Sequence, residues 1–217
     1  MNKTKIEYGT HAWNPVRGCK HGSNICATAE ACWAKALAVR FKRSFEPAFY
    51  PEMLRQPFGL RHPETSRILV CFTGDIGGSW VPESWQQAVV DVIAQCPGPQ
   101  FLLLTKNPRW YAKFNPWPSN SWVGMTLTGA ETPERQAAML EALRLVEGCQ
   151  VKWLSYEPVL DYLVEPIPYW IDWVVVGAQS GKGAKPFDLP WARSVWEWTR
   201  YGGSRPVWEK DNLSRYL

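Results

Sequence analysis

The sequence predicts an α/β protein, a partial (β/α) barrel with about six parallel strands. From residue 67 onward, short apolar segments rich in β-branched residues alternate with stretches of helical periodicity. The segments are apolar throughout, as strands are when helices cover a parallel sheet. Counting one strand before the first cysteine gives six or seven βα units, which is too few for a complete eight-stranded barrel. An open doubly wound sheet is the alternative.

The chain has the size and composition of one domain. With 217 residues and 46% hydrophobic content it can form a substantial core, so a single domain over residues 1–217 is predicted. The net charge of +4 is compatible with a polyanionic partner without requiring one. No leader-like or membrane-length apolar segment is found, which predicts a cytoplasmic protein with no membrane partner. We expect the fourteen tryptophans to fill the core and its rim.

The first part of the chain is organised around residues 13–41. A strand is predicted within residues 5–16, followed by a loop that holds three of the six cysteines. The loop leads directly into a helix over residues 30–43, where apolar positions recur at helical spacing and Cys32 stands near the start. Residues 44–66 contain four prolines and are predicted to be a long connection with one short helix at Pro51–Gln56.

The second part of the chain alternates strands with helices. A helix over residues 82–96 begins with Pro82 and Glu83, as helix starts prefer. A second helix is predicted from an N-cap at Thr132 to a stop at Gly148. The predicted strands lie at 67–75, 100–108, 121–129, 151–159 and 172–181, with a short sixth strand at 205–210 after a helix over 189–203.

The carboxyl ends of the strands are the polar, glycine-rich parts of the chain, and function sits at these ends in both α/β architectures. Backbone amides around Gly74 could hold an anion, and Asp75 could take an ammonium group or a ribose hydroxyl. A tight turn capped by Asp75 is the alternative. In the loop after the fifth strand, Gln179, Ser180 and neighbouring lysines could meet an adenosine or a phosphate, or form a solvated loop.

Thr105, Lys106 and Glu157 also follow apolar strands. A charged group at the end of a buried strand is costly unless it pairs or meets a ligand. These three residues are therefore candidates for ligand contacts, and a mutual Lys106–Glu157 ion pair is the alternative.

Cys19, Cys26 and Cys32 fall within fourteen residues. A closed zinc site needs four protein ligands, whereas a cubane iron–sulfur cluster on three thiolates leaves one iron open. His11 or His21 could supply a fourth zinc ligand, so the pattern leaves a cluster, a zinc site and unrelated free thiols open. The other cysteines are predicted to be small buried or partly buried thiols rather than disulfide partners; they are Cys71, Cys96 and Cys149.

Seven motifs occur in order along nearly the whole chain: WNPVRGC, CWAK, FTGD, FLLLTKNP, WVGMTL, LSYEPVL and DWVVVGAQSGKGAKP. In this order they resemble the phage-type three-cysteine-motif, radical-SAM-like protein family. The chain departs from the family pattern in having five residues between Cys26 and Cys32, where the family has two, and GAQSG where the family carries a glutamate.

The resemblance implies a radical S-adenosylmethionine enzyme with a [4Fe–4S] cluster on Cys19, Cys26 and Cys32. S-adenosylmethionine would bind the open iron and yield a 5′-deoxyadenosyl radical. The resemblance assigns the methionine amino group to Gly74 and Asp75, and assigns no catalytic residue. It also implies candidates for the methionyl carboxylate, ribose and adenine: Thr105, Lys106, Glu157, Gly177, Gln179 and Ser180.

The resemblance and the mildly basic charge point to a nucleic acid or a nucleotide as substrate, while a small molecule or a peptide stays open. An electron donor such as flavodoxin or ferredoxin is implied, and a partner protein could help to hold a large substrate. The rival function is a zinc-stabilised nucleic-acid-binding module without catalysis. Five basic residues near the cysteines could contact phosphates or form a solvated helix face; they are Arg17, Lys20, Arg40, Lys42 and Arg43.

Overall fold

A computed structural model describes residues 1–22, 26, 31–164, 166–180, 184, 188–191, 193, 194, 197 and 206–213. The strands are β1 (Asn2–Lys3), β2 (His11–Trp13), β3 (Val16–Arg17), β4 (Ala48–Phe49), β5 (Arg67–Val70), β6 (Gln100–Thr105), β7 (Ser121–Leu127), β8 (Val151–Tyr156), β9 (Trp173–Val176) and β10 (Val207–Glu209). The α-helices with described bounds are α1 (Trp33–Arg40), α2 (Glu83–Gln95) and α3 (Pro133–Arg144). Shorter 3₁₀ segments lie at Pro51–Met53, Gln56–Gly59, Pro63–Thr65, Pro108–Phe114 and Asp211–Leu213.

An eight-stranded sheet in the order β1-β2-β5-β6-β7-β8-β9-β10 forms the centre of the fold. β1 runs antiparallel to β2, and the other neighbouring pairs in this sheet are parallel. The predicted α/β class with a mostly parallel sheet is therefore confirmed. Strand order follows chain order across the described strands, without the reversal that a doubly wound sheet has at its switch point. β3 and β4 form a separate antiparallel pair.

The predicted elements agree closely with the observed ones. The five predicted strands correspond to β5 to β9 and the short sixth strand to β10, while the predicted N-terminal strand contains β2. Thr132 caps α3 as predicted, since its side chain accepts a hydrogen bond from the Arg135 amide at 3.4 Å. α3 ends at Arg144, before Gly148, and the chain then tightens: the Val146 amide donates to the Leu143 carbonyl three residues back, at 3.2 Å.

Two connections differ from a simple strand–helix alternation. Between β6 and β7 the chain forms the 3₁₀ segment Pro108–Phe114, to which the sequence had assigned no element. It is held by burial of the Trp110 and Tyr111 side chains in the core. Of the helix predicted over 189–203, residues 189–191, 193, 194 and 197 are helical, and the others lie outside the described residues.

The two faces of the sheet carry separate apolar clusters. The larger cluster joins one face of the strands to α2 through Val89 and Ile93, and to α3 through Leu143. The smaller cluster covers the other face and contains Tyr8, Trp153, Trp173 and two strand leucines. Both described crossover helices thus pack on the same face. The opposite face is filled by aromatic side chains whose ring centroids lie 5.2–5.9 Å apart.

Burial agrees with two predictions about residue types. Trp13, Trp110, Trp117, Trp153 and Trp173 are buried, in line with a role in the core. None of the six cysteines, all of which the structure describes, forms a disulfide, and the three outside the cysteine loop are buried or partly buried as predicted. Among the described helices, none has the length and apolar character that crossing a membrane requires.

Candidate functional site

A cavity of about 380 Å³ lies at the carboxyl ends of the parallel strands. Its walls come from the segments that follow β3, β5, β6, β8, β9 and β10, as the strand-end rule predicts. The cavity brings together the three cysteines and seven of the eight predicted cofactor residues. These lining residues are Cys19, Cys26, Cys32, Gly74, Asp75, Thr105, Lys106, Glu157, Gln179 and Ser180.

Gly177 is the one predicted cofactor residue that does not line the cavity. It lies behind the wall, where an added Cβ would come within 3.1 Å of Glu157 Cγ and 3.0 Å of Lys210 Cδ. Gly177 therefore allows the close approach of these two side chains instead of offering a contact of its own.

The three cysteines share one side of the cavity. Cys19 follows β3, Cys26 is buried in the loop, and Cys32 occupies the N-cap position of α1. Burial raises the pKa of the Cys19 thiol to about 12. The His21 amide, which donates a hydrogen bond to Sγ at 3.4 Å, acts to lower this pKa. The charges of Asp75, Cys32 and Cys26 act to raise it further. Without a bound cation this thiol stays protonated at neutral pH, whereas a metal would stabilise the thiolate.

Gly18 fixes where the cysteine loop starts. Its φ of +83° lies in the left-handed region, and a Cβ there would come within 2.4 Å of the Glu46 carbonyl oxygen. Gly18 also pairs with Gly74 across the two loops, and the Cys19 amide donates to the Phe45 carbonyl at 3.2 Å. The backbone of the cysteine loop is therefore packed between two neighbouring segments with no room for a side chain.

We expect Gly18→Ala to lower the free energy of unfolding by at least about 2 kcal/mol. A left-handed backbone costs a residue with a Cβ about 1–2 kcal/mol, and the overlap with Glu46 adds to this cost. Urea unfolding followed by circular dichroism measures the change. Gly59→Ala is the matched control, since no heavy atom lies within 4 Å of its added Cβ, and it should shift stability by no more than about 0.5 kcal/mol. Equal effects of the two variants would contradict this account of the loop.

Asp75 is the centre of a buried hydrogen-bond network. Its Oδ1 accepts from the Gly77 amide at 3.0 Å and from the Thr105 hydroxyl at 2.6 Å. Its Oδ2 accepts from the Lys106 amide at 3.0 Å and lies 2.8 Å from His21 Nε2. A carboxylate offers about four acceptor positions, and all four are used here. Asp75 thus positions Thr105, Lys106 and His21, and leaves no lone pair for the ligand ammonium group that the sequence suggested.

The same network determines the charge of Asp75. Burial acts to raise the pKa of this carboxyl group, but the hydrogen bond and charge of His21, followed by the Thr105 hydroxyl and the Lys106 amide, outweigh it and hold the pKa below its usual value. Asp75 is therefore ionised at neutral pH. Because an ionised carboxylate can only accept hydrogen bonds, His21 Nε2 carries a proton and donates a hydrogen bond to Oδ2.

Of the two histidines that could complete a zinc site, only His21 lines the cavity with the cysteines. The His21 Nε2 faces Asp75, its ring packs edge-on against Trp80 with centroids 4.7 Å apart, and its Nδ1 is buried with no hydrogen-bond partner in the described part of the chain. His11 lies on β2, where its Nδ1 meets the Thr10 hydroxyl at 2.9 Å, and it does not line the cavity. His21 donates Nε2–H to Asp75 and keeps Nδ1 without a partner among the described residues, an arrangement in which a histidine can bind a metal, whereas His11 is outside the site.

Glu157 forms a close ion pair with Lys210, the residue after β10. The alternative that the sequence offered, a pair between Glu157 and Lys106, is wrong for this structure. Within the described residues the Lys106 ammonium group has no carboxylate partner, although it lines the cavity. Residues 181–183 and 185–187, which include the two loop lysines, lie outside the described residues.

The floor of the cavity consists of residues that point away from the helices. Leu104, Thr126 and Ser155 come from β6, β7 and β8, and Tyr8 and Phe72 lie beside them. Tyr8 belongs to the aromatic cluster on this face of the sheet. The floor therefore combines apolar side chains with the three hydroxyl groups of Tyr8, Thr126 and Ser155.

Sequence reasoning missed several of these residues. Lys210 was predictable, because it is the last residue of a predicted strand and functional residues were expected at strand ends. Thr126 and Ser155 could not, since nothing local tells which face of a buried strand meets a cavity. The five basic residues near the cysteines do not line it. Two of them are engaged elsewhere: Arg17 stacks over Tyr50 at 4.7 Å and Lys20 pairs with Glu46 at 3.1 Å.

Comparisons with known proteins give one match. A family model with the description "Protein of unknown function (DUF5131)" matches residues 3–205. The searches of curated proteins and of solved structures found no match.

Proposed function

The chain belongs to the DUF5131 family, and we propose that it is a radical S-adenosylmethionine enzyme. Its substrate would be a nucleic acid or a nucleotide. One observation carries this proposal. Three cysteines and seven residues expected to contact S-adenosylmethionine, which are spread from residue 19 to residue 180, line one cavity.

Three thiolates are the ligand set of a cubane cluster that keeps one iron open. No group of three His, Cys, Asp or Glu side chains in the described ranges is placed to hold one metal ion. In a cubane cluster each thiolate binds a different iron, so its ligands stand further apart than ligands that share one ion. Cys19, Cys26 and Cys32 would hold a [4Fe–4S] cluster, and the hydrogen bond from the His21 amide to Cys19 Sγ is of the kind that tunes such clusters.

When bound and reduced, the cluster would supply the electron that cleaves the sulfonium C–S bond of S-adenosylmethionine to methionine and a 5′-deoxyadenosyl radical, which would abstract a hydrogen atom from the substrate. Flavodoxin or ferredoxin would be a suitable electron donor. The sequential strand order and the placement of both described crossover helices on one face support the finer proposal of a partial (β/α) barrel, with the cavity at its open end.

The chain's own residues would bind, orient and shield the reactants. The Lys106 ammonium group has no carboxylate partner among the described residues and suits the methionyl carboxylate, because a cation on a cavity wall needs an anion. Asp75 holds the Lys106 backbone and the Thr105 hydroxyl in place through its hydrogen bonds. Gln179 and Ser180 lie on the wall where an adenosine would be held, and the apolar floor excludes water from the reacting atoms.

The test is the iron and acid-labile sulfide content of protein purified without oxygen. We expect about four iron and four sulfide per chain, and an EPR spectrum of the reduced protein that shifts when S-adenosylmethionine is added. An open iron that binds the cofactor accounts for such a shift. One zinc per chain with no sulfide would overturn the proposal and favour a zinc-stabilised binding module.

A further inference from the structure

A second cavity, also of about 380 Å³, lies beside the first. The two cavities share His21 and Lys106, which form the wall between them. The remaining lining comes from the loop after β5, from the segment after β6 and from the first turns of α3. A molecule that occupies the first cavity could therefore extend into the second.

The second cavity is lined by three basic side chains, Lys106, Arg109 and Arg135, and by no Asp or Glu. Within the described part of the chain none of the three forms an ion pair. Three like charges around one cavity create a strong positive potential that favours an anion.

Two buried donors in the same lining have no acceptor. Arg135 Nε and Trp80 Nε1 are buried and lack a hydrogen-bond partner among the described residues. The Arg135 guanidinium is held by a hydrogen bond from Nη2 to the Lys106 carbonyl at 3.3 Å. A buried donor without an acceptor is costly, so these two groups need an acceptor from a ligand or from solvent.

We infer that this cavity binds a phosphate group of the substrate, whose reacting part lies in the first cavity. Two guanidinium groups provide the planar, paired donors that match phosphate oxygens. Lys106, on the wall between the cavities, adds to the positive potential and keeps its proposed contact in the first cavity. The inference deepens the proposed function and rests on it for the role of the first cavity. It assigns the phosphate contacts to Arg109 and Arg135, in place of the basic residues near the cysteines.

The probe is thymidine 5′-monophosphate, with thymidine as its uncharged counterpart. A thymine base is chosen because the proposed function puts an adenine site in the first cavity. We expect the monophosphate to bind to the full-length protein at least about tenfold more tightly than thymidine in isothermal titration calorimetry, since hydrogen bonds to charged groups are strong. Arg109→Gln and Arg135→Gln should each remove about tenfold of this preference.

Arg144→Gln is the matched control, since Arg144 lies on the same helix as Arg135 but pairs with Glu141 at 2.7 Å outside the cavity. It should leave the preference for the monophosphate unchanged. Arg109 is exposed and forms no side-chain hydrogen bond in the described part of the chain, so Arg109→Gln tests the inference even if Arg135→Gln fails to fold.

A single-stranded oligothymidylate separates the two sources of phosphate. Tighter binding of the oligonucleotide than of the monophosphate would identify nucleic acid, and the reverse would identify a free nucleotide. Equal binding of thymidine and its monophosphate, or equal losses in Arg144→Gln and the other two variants, would overturn the inference. Binding is measured for protein with and without iron. If the chain never holds iron but still prefers the monophosphate, the phosphate site stands and only the proposed radical activity is overturned.

Discussion

Replacing Cys19, Cys26 or Cys32 with alanine is expected to reduce the iron content of anaerobically purified protein to less than about one tenth of the wild-type value. Each thiol lines the same cavity, and in the proposed site the loss of one ligand from three would leave the cluster with two. Activity that depends on S-adenosylmethionine should be lost in the same variants. Iron and sulfide analysis with EPR of the reduced protein measures the effect.

The same three variants should remain folded. None of the three cysteines belongs to either apolar cluster that holds the sheet together. If the metal were a structural zinc, removing a ligand would unfold the domain, because structural zinc binding is part of folding. Circular dichroism and thermal unfolding separate the two cases. A folded protein that retains its iron in all three variants would contradict the assigned ligands.

Cys149→Ala is the matched control for these substitutions. Cys149 is a free, partly buried thiol that follows α3 and does not line the cavity. Its removal changes the thiol count by the same amount and should leave the iron content at the wild-type level. If Cys149→Ala also lost its iron, the loss of iron in the other three variants would not identify their cysteines as ligands.

Asp75→Asn is expected to lower the free energy of unfolding by about 3 kcal/mol at pH 7. The carboxylate accepts four hydrogen bonds, two on each oxygen, whereas an amide has only one oxygen. In either orientation the amide NH₂ faces two donors, so buried donors lose their acceptor. The substitution should also displace Thr105 and Lys106 from their positions on the cavity wall. Urea unfolding gives the free-energy change.

The effect should depend on pH in a defined direction. The pKa of Asp75 is lowered in the folded protein, so its ionisation contributes stability that is fully present above the unfolded value of about 3.9. This contribution is lost as the pH falls through the lower folded pKa. The difference in unfolding free energy between wild type and Asp75→Asn should thus be constant above about pH 5 and shrink below about pH 4.

Asp91→Asn provides the control for this pH series. Asp91 is exposed on α2 and accepts a hydrogen bond from the Gln87 side chain at 2.7 Å. The same chemical change there should cost no more than about 0.5 kcal/mol. If the two variants lost similar stability, or if the Asp75→Asn difference persisted at acid pH, the buried network would not have the role assigned to it.

Local patterns in the sequence were sufficient to predict the α/β class, the strands β5 to β10 and the helices α2 and α3. Apolar runs, helical periodicity and the Thr132 cap act over a few residues, so they can be read without the fold. The rule that function lies at the carboxyl ends of parallel strands also needs only the order of elements. Together with the cysteine spacing and the family resemblance, it led to eleven predicted site residues, of which ten line one cavity.

Only the tertiary structure decided which of these residues are committed to each other. Glu157 pairs with Lys210, which lies 53 residues further along the chain. The Asp75 carboxylate accepts four hydrogen bonds from other residues of the protein. Arg109 and Arg135 lie in different elements and meet Lys106 at a second cavity. Such contacts depend on strand register, on the path of each loop and on which face of the sheet the helices cover, and no short stretch of sequence contains that information.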